Sequence, residues 1–213
     1  MSNLKKPELL APAGDLEKLK IAVLYGADAV YIGGEAYSLR AKAKNFNAET
    51  MKEGIDFAHA HGAKVYVTAN IFAHNSDFDG MGEYFKSIYE MGADAVLVSD
   101  PGVYTVLKEY APDLELHVST QANNTNYKTA QFWYKLGAKR IVGARELSLK
   151  EIKEMRQHSR RYGNRNLCAW CNVYFLFRTL PALQLFYRKR CKSGSMYPSM
   201  QMEVFHRGRD QTK

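Results

Sequence analysis

The 213 residues predict an α/β fold: a partial (β/α) barrel of the TIM type, six βα units long, followed by an irregular, non-native tail. Three observations predict it. A Gly-Ala phrase recurs before short β-branched runs, the segments between these runs have apolar residues at three- and four-residue spacing, and the composition changes abruptly near residue 157.

The first strand is read in PELLAPAG, residues 7–14, and the next in YGADAVYIGG at 25–34. HGAKVYVTAN at 61–70, MGADAVLVSD at 91–100, LELHVSTQAN at 114–123 and LGAKRIVGAR at 136–145 supply the other four. In each Gly-Ala phrase the glycine suits a helix C-cap, and the apolar run after it suits a buried parallel strand. Helices are read in DLEKLKIAVLYG, NAETMKEGIDFAHAHG, MGEYFKSIYEMG and YKTAQFWYKLG, each with an apolar stripe at helical period. Strands alternating with helices imply right-handed βαβ units and a parallel sheet, which can be doubly wound or closed into a barrel. The barrel is favoured: no dinucleotide fingerprint follows the first strand, and six units within 157 residues are on schedule for the eight of a barrel of about 250 residues.

The net charge of +8 would by itself suggest a nucleic-acid partner. It is not spread along the chain: residues 1–157 carry 19 basic and 20 acidic side chains, and residues 158–213 carry 11 and 2. The tail also holds all three cysteines, Cys168, Cys171 and Cys191. Two units follow, an incomplete barrel over 1–157 and an aberrant basic tail over 158–213, disordered or poorly packed. Met1 to Pro7 has no apolar region of the kind a secretion signal needs, and no apolar run reaches about 18 residues. The expectation is a cytoplasmic protein that does not enter a membrane.

Chemistry in a parallel barrel belongs at the C-terminal ends of the strands. There the sequence offers Arg40, Asn70, His74, Asp100, then Ser119, Gln121 and Asn123, and finally Arg145 and Glu146, as candidates for substrate binding. Arg40 and Arg145 suit a carboxylate or phosphate. Asp100, just before Pro101, is equally well placed to cap a helix. His59 and His61 lack ligand-spaced partners and suit a helix end better than a metal, and no metal is assigned. Arg145 and Glu146 can equally be an ion pair. STQANNTN, residues 119–126, has seven polar residues in eight, more than a turn requires, and is read as ligand-contacting.

PELLAPAGDLEKLKIAVLYGADAVYIGG, YSLRAKAKNF, KVYVTANIFAHN, VLVSDPGVY, LELHVSTQANNTN and VGARELSLKEI together resemble the start of the collagenase-like peptidase family of the U class, in which U denotes an unknown catalytic type. The likeness runs from Pro7 to about Met155. It implies a barrel-like catalytic domain. For the complete protein it implies prephenate-dependent 5-hydroxylation of a tRNA uridine or an rRNA cytidine, with an iron–sulfur cluster in some relatives. Proteolysis, the older assignment of the family, implies a peptide substrate instead, and a third reading is a half-barrel that only binds a partner. Residues 1–157 contain no cysteine, no G-x-S-x-G and no H-E-x-x-H, which favours RNA modification over a peptidase.

The family's cysteine-bearing signature, due in the seventh strand, is absent from 158–213. Read one base out of register from His158, the tail can encode IPEDMEIETFVHGAMCISYSGRCLLS, which is that signature in order and spacing. Three of the required positions are forced whatever the codons: Trp170 followed by Cys171 must yield glycine, and Met196 followed by Tyr197 and Met200 followed by Gln201 must each yield cysteine. A frameshift near Gln157 is therefore inferred, arising by mutation, recoding or sequencing error. The C-x-x-C of Cys168 and Cys171 and the run Arg188, Lys189, Arg190 become by-products of the shift. The basic tail is not taken as a nucleic-acid site, no cofactor is assigned to this chain, and the truncated product is expected to be unstable or inactive. Resequencing the gene across codons 150–213 and beyond the stop separates the origins of the shift: a single-base error or indel near Gln157 that restores the cysteine signature makes the protein a full-length family member, and DNA that confirms the present frame without recoding makes the chain a truncated pseudoenzyme.

Overall fold

A computed structural model describes residues 8–39, 45–159 and 166–169. Seven strands form one parallel sheet in strictly sequential order: β1 (Leu10–Pro12), β2 (Ala29–Gly33), β3 (Lys64–Ala69), β4 (Ala95–Val98), β5 (Glu115–Val118), β6 (Arg140–Gly143) and β7 (Asn166–Ala169). Between them run α1 (Leu16–Leu24), α2 (Ala48–Ala60), α3 (Met81–Glu90), α4 (Pro101–Tyr110), α5 (Tyr127–Lys135) and α6 (Leu149–Ser159). Sequential order decides between the two architectures left open by the alternation. With right-handed crossovers, every helix then falls on one face of the sheet, so the other face must turn inward as a barrel does.

Five of the six helices begin on a side-chain cap, and α3 does not. The side chains of Asp15, Asn47 and Asn126 accept from the backbone N–H groups of Lys18, Thr50 and Thr129. At α6, Ser148 and Glu151 cap reciprocally: Ser148 N–H donates to Glu151 Oε2 at 2.7 Å, and Glu151 N–H to Ser148 Oγ at 3.3 Å. The Gly-Ala phrase is a Schellman stop followed by a strand. Gly26, Gly62, Gly92 and Gly137 all have positive φ. After each, the alanine N–H reaches back five residues, Ala27 to Ala22, Ala63 to Ala58, Ala93 to Ile88 and Ala138 to Trp133. The same alanines are buried, so the phrase turns the chain and starts the core at once.

Alternation within the strands builds two apolar layers. Outward residues such as Val30, Ile32, Val65, Val67, Val96, Val98, Leu116, Val118 and Ile141 pack under the helices with Leu19, Ile55, Phe85 and Leu107. Inward residues form a smaller cluster of Ala29, Tyr66, Ala95 and Leu97, with Leu10 and Tyr31 beside them.

The N-terminal mouth is closed by charge. Arg140 on β6 donates to both carboxylate oxygens of Glu8, just before β1, at 2.5 and 3.0 Å. Tyr66 O–H donates to Glu8 Oε2 at 3.0 Å, the guanidinium lies 5.0 Å from the Tyr66 ring centre, and His117 sits edge-on to that ring beside Glu115. Five strand spacings of about 4.8 Å separate β1 from β6 in a flat sheet, far beyond what a Glu and an Arg can span. The ion pair therefore requires the sheet to be curled.

The seventh strand departs from the expected six units and irregular tail. β7 pairs with β6 in parallel, Val142 opposite Cys168, inside the stretch read as irregular, and α6 runs across the expected boundary at 157. Pairing uses backbone groups, and a seventh strand can form at the β6 edge whatever residues occupy it. The remainder of the predicted tail lies outside the described residues.

Burial alone would raise the Glu8 pKa, but the Arg140 hydrogen bond and charge outweigh it and hold the carboxyl below its ordinary 4.5. His117 is pushed below its ordinary 6.5, chiefly by burial. Both shifts make the unfolded chain the better proton binder at low pH, so stability is complete above about 6.5 and falls as His117 and then Glu8 are forced to protonate. Thermal melts from pH 8 to pH 4 should show that progressive loss. Arg140→Met should cost roughly 2–4 kcal/mol in urea denaturation, toward the low end for a buried pair because 31% of the Glu8 side chain stays exposed. The double variant with Glu8→Gln should recover part of it.

Candidate functional site

At the opposite mouth the inward columns end in neutral polar side chains. Asn70 follows β3, Ser119 follows β5, and Gln121 lies in a short 3₁₀ turn, Thr120–Ala122. Asn70 Nδ2 donates to Ser119 Oγ and to Gln121 Oε1, both at 3.3 Å. Gln121 Oε1 also accepts from Ser119 O–H at 2.6 Å and Thr120 O–H at 3.0 Å. Residues from two strands that are not neighbours thus meet over the barrel axis, as inward-facing strand ends do. Ser119 is buried, Asn70 half-buried and Gln121 exposed, so the cluster runs from the interior to solvent.

Beside it, Thr68 O–H donates to the Ile32 carbonyl at 3.0 Å, and its oxygen lies 3.0 Å from Ser38 Oγ; both residues are buried. A Cβ on Gly33 would stand 2.7 Å from Ser38 Oγ, so this approach requires glycine.

Asn124 joins the rim from below. Its Nδ2 donates to the carbonyls of Ser119 at 3.2 Å and Val142 at 3.4 Å, and its own carbonyl accepts from Ala144 N–H at 3.2 Å, which stitches the end of β5 to the end of β6. Two carbonyl partners fix which end of the amide is nitrogen. Its Oδ1 is fully buried and has no partner among the described residues.

Of the residues expected from sequence, Asn70, Ser119 and Gln121 are brought together. Asn123 takes a left-handed conformation, φ 51°, and turns the chain just after them. Asp100 caps α4, its Oδ1 accepting from Gly102 N–H at 2.6 Å and Val103 N–H at 3.1 Å, which is the structural half of the reading it was given. His74 is exposed and opens the 3₁₀ turn Asn75–Phe78, its N–H donating to Asp77 Oδ2 at 2.7 Å. Arg145 and Glu146 are exposed in the turn after β6. Arg40 lies outside the described residues. Sequence reading missed Asn124, Thr68 and Ser38. Asn124 was hidden inside a uniformly polar run, where only its place one residue after the turn at Asn123 sets it apart.

The profile of Peptidase family U32 matches residues 14–164. The chain belongs to peptidase family U32. Within the family, tRNA hydroxylation protein P1 of Bacillus subtilis is 52% identical over 153 residues, which are 72% of this chain and 36% of that protein. The 23S rRNA 5-hydroxycytidine C2501 synthase of Escherichia coli is 39% identical over 150 residues, 70% of this chain and 22% of that protein. A solved structure of a U32 peptidase superposes with a TM-score of 0.59 at 19% identity, covering 74% of this chain and 67% of that one, a likeness of fold. The U32 match contains the entire polar rim, and the chain spans about a third or less of the two curated relatives.

Asn124→Asp keeps the shape of the side chain and removes both of its donors. It should destabilise the protein by about 1–3 kcal/mol, at least as much as Asn124→Ala, because it sets an acceptor against two buried carbonyls. Equilibrium urea denaturation of the two variants measures this.

Proposed function

We propose that this chain carries the first six βα units of a U32 enzyme that hydroxylates a pyrimidine at C5 in RNA, a tRNA uridine or an rRNA cytidine. What carries the reading is the 52% identity to a tRNA hydroxylation protein across the residues that build the rim. The chemistry of the rim suits it. Asn70, Ser119, Thr120 and Gln121 are uncharged donors and acceptors, the groups that hold a nucleobase extruded from its stack. Ser119 O–H donates to a carboxamide, which cannot act as a base, and this weighs against Ser119 as a peptidase nucleophile.

Prephenate, the co-substrate the resemblance implies, carries carboxylates, and Arg145 is an exposed cation on the same mouth for one of them. Residues 1–157 contain no cysteine to ligate the iron–sulfur cluster that the resemblance implies for some relatives. RNA as substrate implies a cytoplasmic protein; among the described residues no helix is long and apolar enough to cross a membrane.

A frameshift near Gln157 completes the proposal. The U32 match stops at residue 164, close to the inferred shift, and β7 occupies the positions where the shifted frame reads TFVH in the missing signature strand.

In a strain lacking its own tRNA-hydroxylating protein, the frame-restored gene should return 5-hydroxyuridine to tRNA, read by mass spectrometry of nucleosides, and the 213-residue chain should not. Failure of both, with neither tRNA nor rRNA hydroxylated, would refute the RNA reading. Activity of the 213-residue chain would refute the claim that the shift inactivates it.

A further inference from the structure

Phe72 is exposed where the chain on either side of it is packed. It lies in the loop after β3, two residues beyond Asn70, with 68% of its surface open to solvent. Its neighbours Ile71 and Ala73 both pack against the core. Ser99 O–H donates to the Ile71 carbonyl at 3.3 Å, and His74 N–H donates to Asp77 Oδ2, so the loop is tied down before and after the ring. Two inward neighbours leave Phe72 turned outward, and the exposure is a property of a held loop. The other large apolar side chains left exposed belong to helices, to their ends or to the approach to β1, apart from Leu39, whose N–H lies 3.5 Å from Asn70 Oδ1. Phe72 also meets no other aromatic ring among the described residues.

A single exposed phenylalanine on an outer helix needs no explanation. One held two residues from a polar rim, at the mouth where parallel barrels place their chemistry, is positioned to touch what the rim receives. Its ring forms no strong hydrogen bond and recognises a flat face by stacking. The rim beside it, Asn70, Ser119, Thr120 and Gln121, offers hydrogen bonds and no charge. A flat face and a polar edge without net charge meet in a nucleobase. We propose that Phe72 is a base-stacking residue, on which a base of a single-stranded RNA lies as the strand reaches the mouth. The inference rests on the RNA reading and adds to it a contact that accepts any base, since every base has a π-face. Phe72 is given no role in the hydroxylation step itself.

The probes are an oligouridine and an abasic strand of the same length, with the same riboses and phosphates and no bases. Each is titrated into the 213-residue chain and followed by fluorescence anisotropy at one fixed salt concentration. Phosphate contacts, those of the basic tail included, are common to both strands and cancel in the ratio of affinities. The oligouridine should bind roughly tenfold more tightly than the abasic strand, the scale of one base stacked on an aromatic ring. Phe72→Leu, shown folded by circular dichroism, should erase that ratio, whereas Phe72→Tyr, which keeps a stacking face, should retain it. Phe132, exposed on the outer face of α5, is the control, and Phe132→Leu should leave the ratio unchanged. Equal binding of the two strands by the unaltered chain overturns the proposal, as does binding of neither. A ratio that survives Phe72→Leu, or one that Phe132→Leu also erases, overturns it as well. The hydroxylation assay on the frame-restored gene decides separately whether the RNA reading stands: hydroxylated RNA with no base-dependent ratio removes the stacking residue alone, and a ratio lost in Phe72→Leu with no hydroxylated RNA removes the hydroxylation reading alone.

Discussion

A guanidinium can be kept inside a sheet only if its charge is answered there, and the burial of Arg140 sets the shape of the rest of the chain. Its answer is Glu8, 132 residues earlier, with Tyr66 placed to bond the same carboxylate. An ion pair that joins the approach to β1 with the start of β6 is possible only if the intervening strands curl. Curling in turn brings the far ends of β3 and β5 close enough for Asn70 to reach Ser119. The floor and the rim are therefore one constraint seen at two ends of the same columns.

The strand period of two makes this coupling direct. On β3 and just beyond it the inward residues are Tyr66, Thr68 and Asn70; on β5 and beyond it they are His117 and Ser119; on β6 they begin with Arg140. Each column starts with charged or aromatic groups and ends, on β3 and β5, in an amide or a hydroxyl. Charges at the floor are stabilised by one another and lie at the mouth where barrel enzymes do not place chemistry. A neutral rim asks less desolvation of an uncharged ligand than a charged rim would.

Much of the fold was legible because one phrase carried both a stop and a start. Glycine ahead of a buried alanine needs a left-handed turn and then a core contact, and only a helix running into a strand supplies both at that spacing. The curl was legible only as a preference, since Glu8 and Arg140 look like ordinary residues at strand ends until the sheet brings them together. Asp100 shows the limit in the other direction: one aspartate before a proline suits two roles equally in sequence, and only the structure shows the cap, through the bonds to Gly102 and Val103. Asn124 could not be separated from its polar neighbours because burial, which distinguishes it, belongs to the packing of β5 against β6. β7 was missed for a different reason, since backbone pairing at a sheet edge leaves little trace in composition.

The division of charge along the chain bears on how an RNA would reach the rim. Residues 1–157 hold nearly equal numbers of acidic and basic side chains, so they lack the phosphate attraction that supplies most of non-specific RNA affinity. A polar rim without a phosphate-binding surface gathers little RNA. On the proposed RNA reading, that surface would belong to the part of the U32 relatives that this chain does not match, and its absence would leave the hydrogen bonds of the rim unchanged.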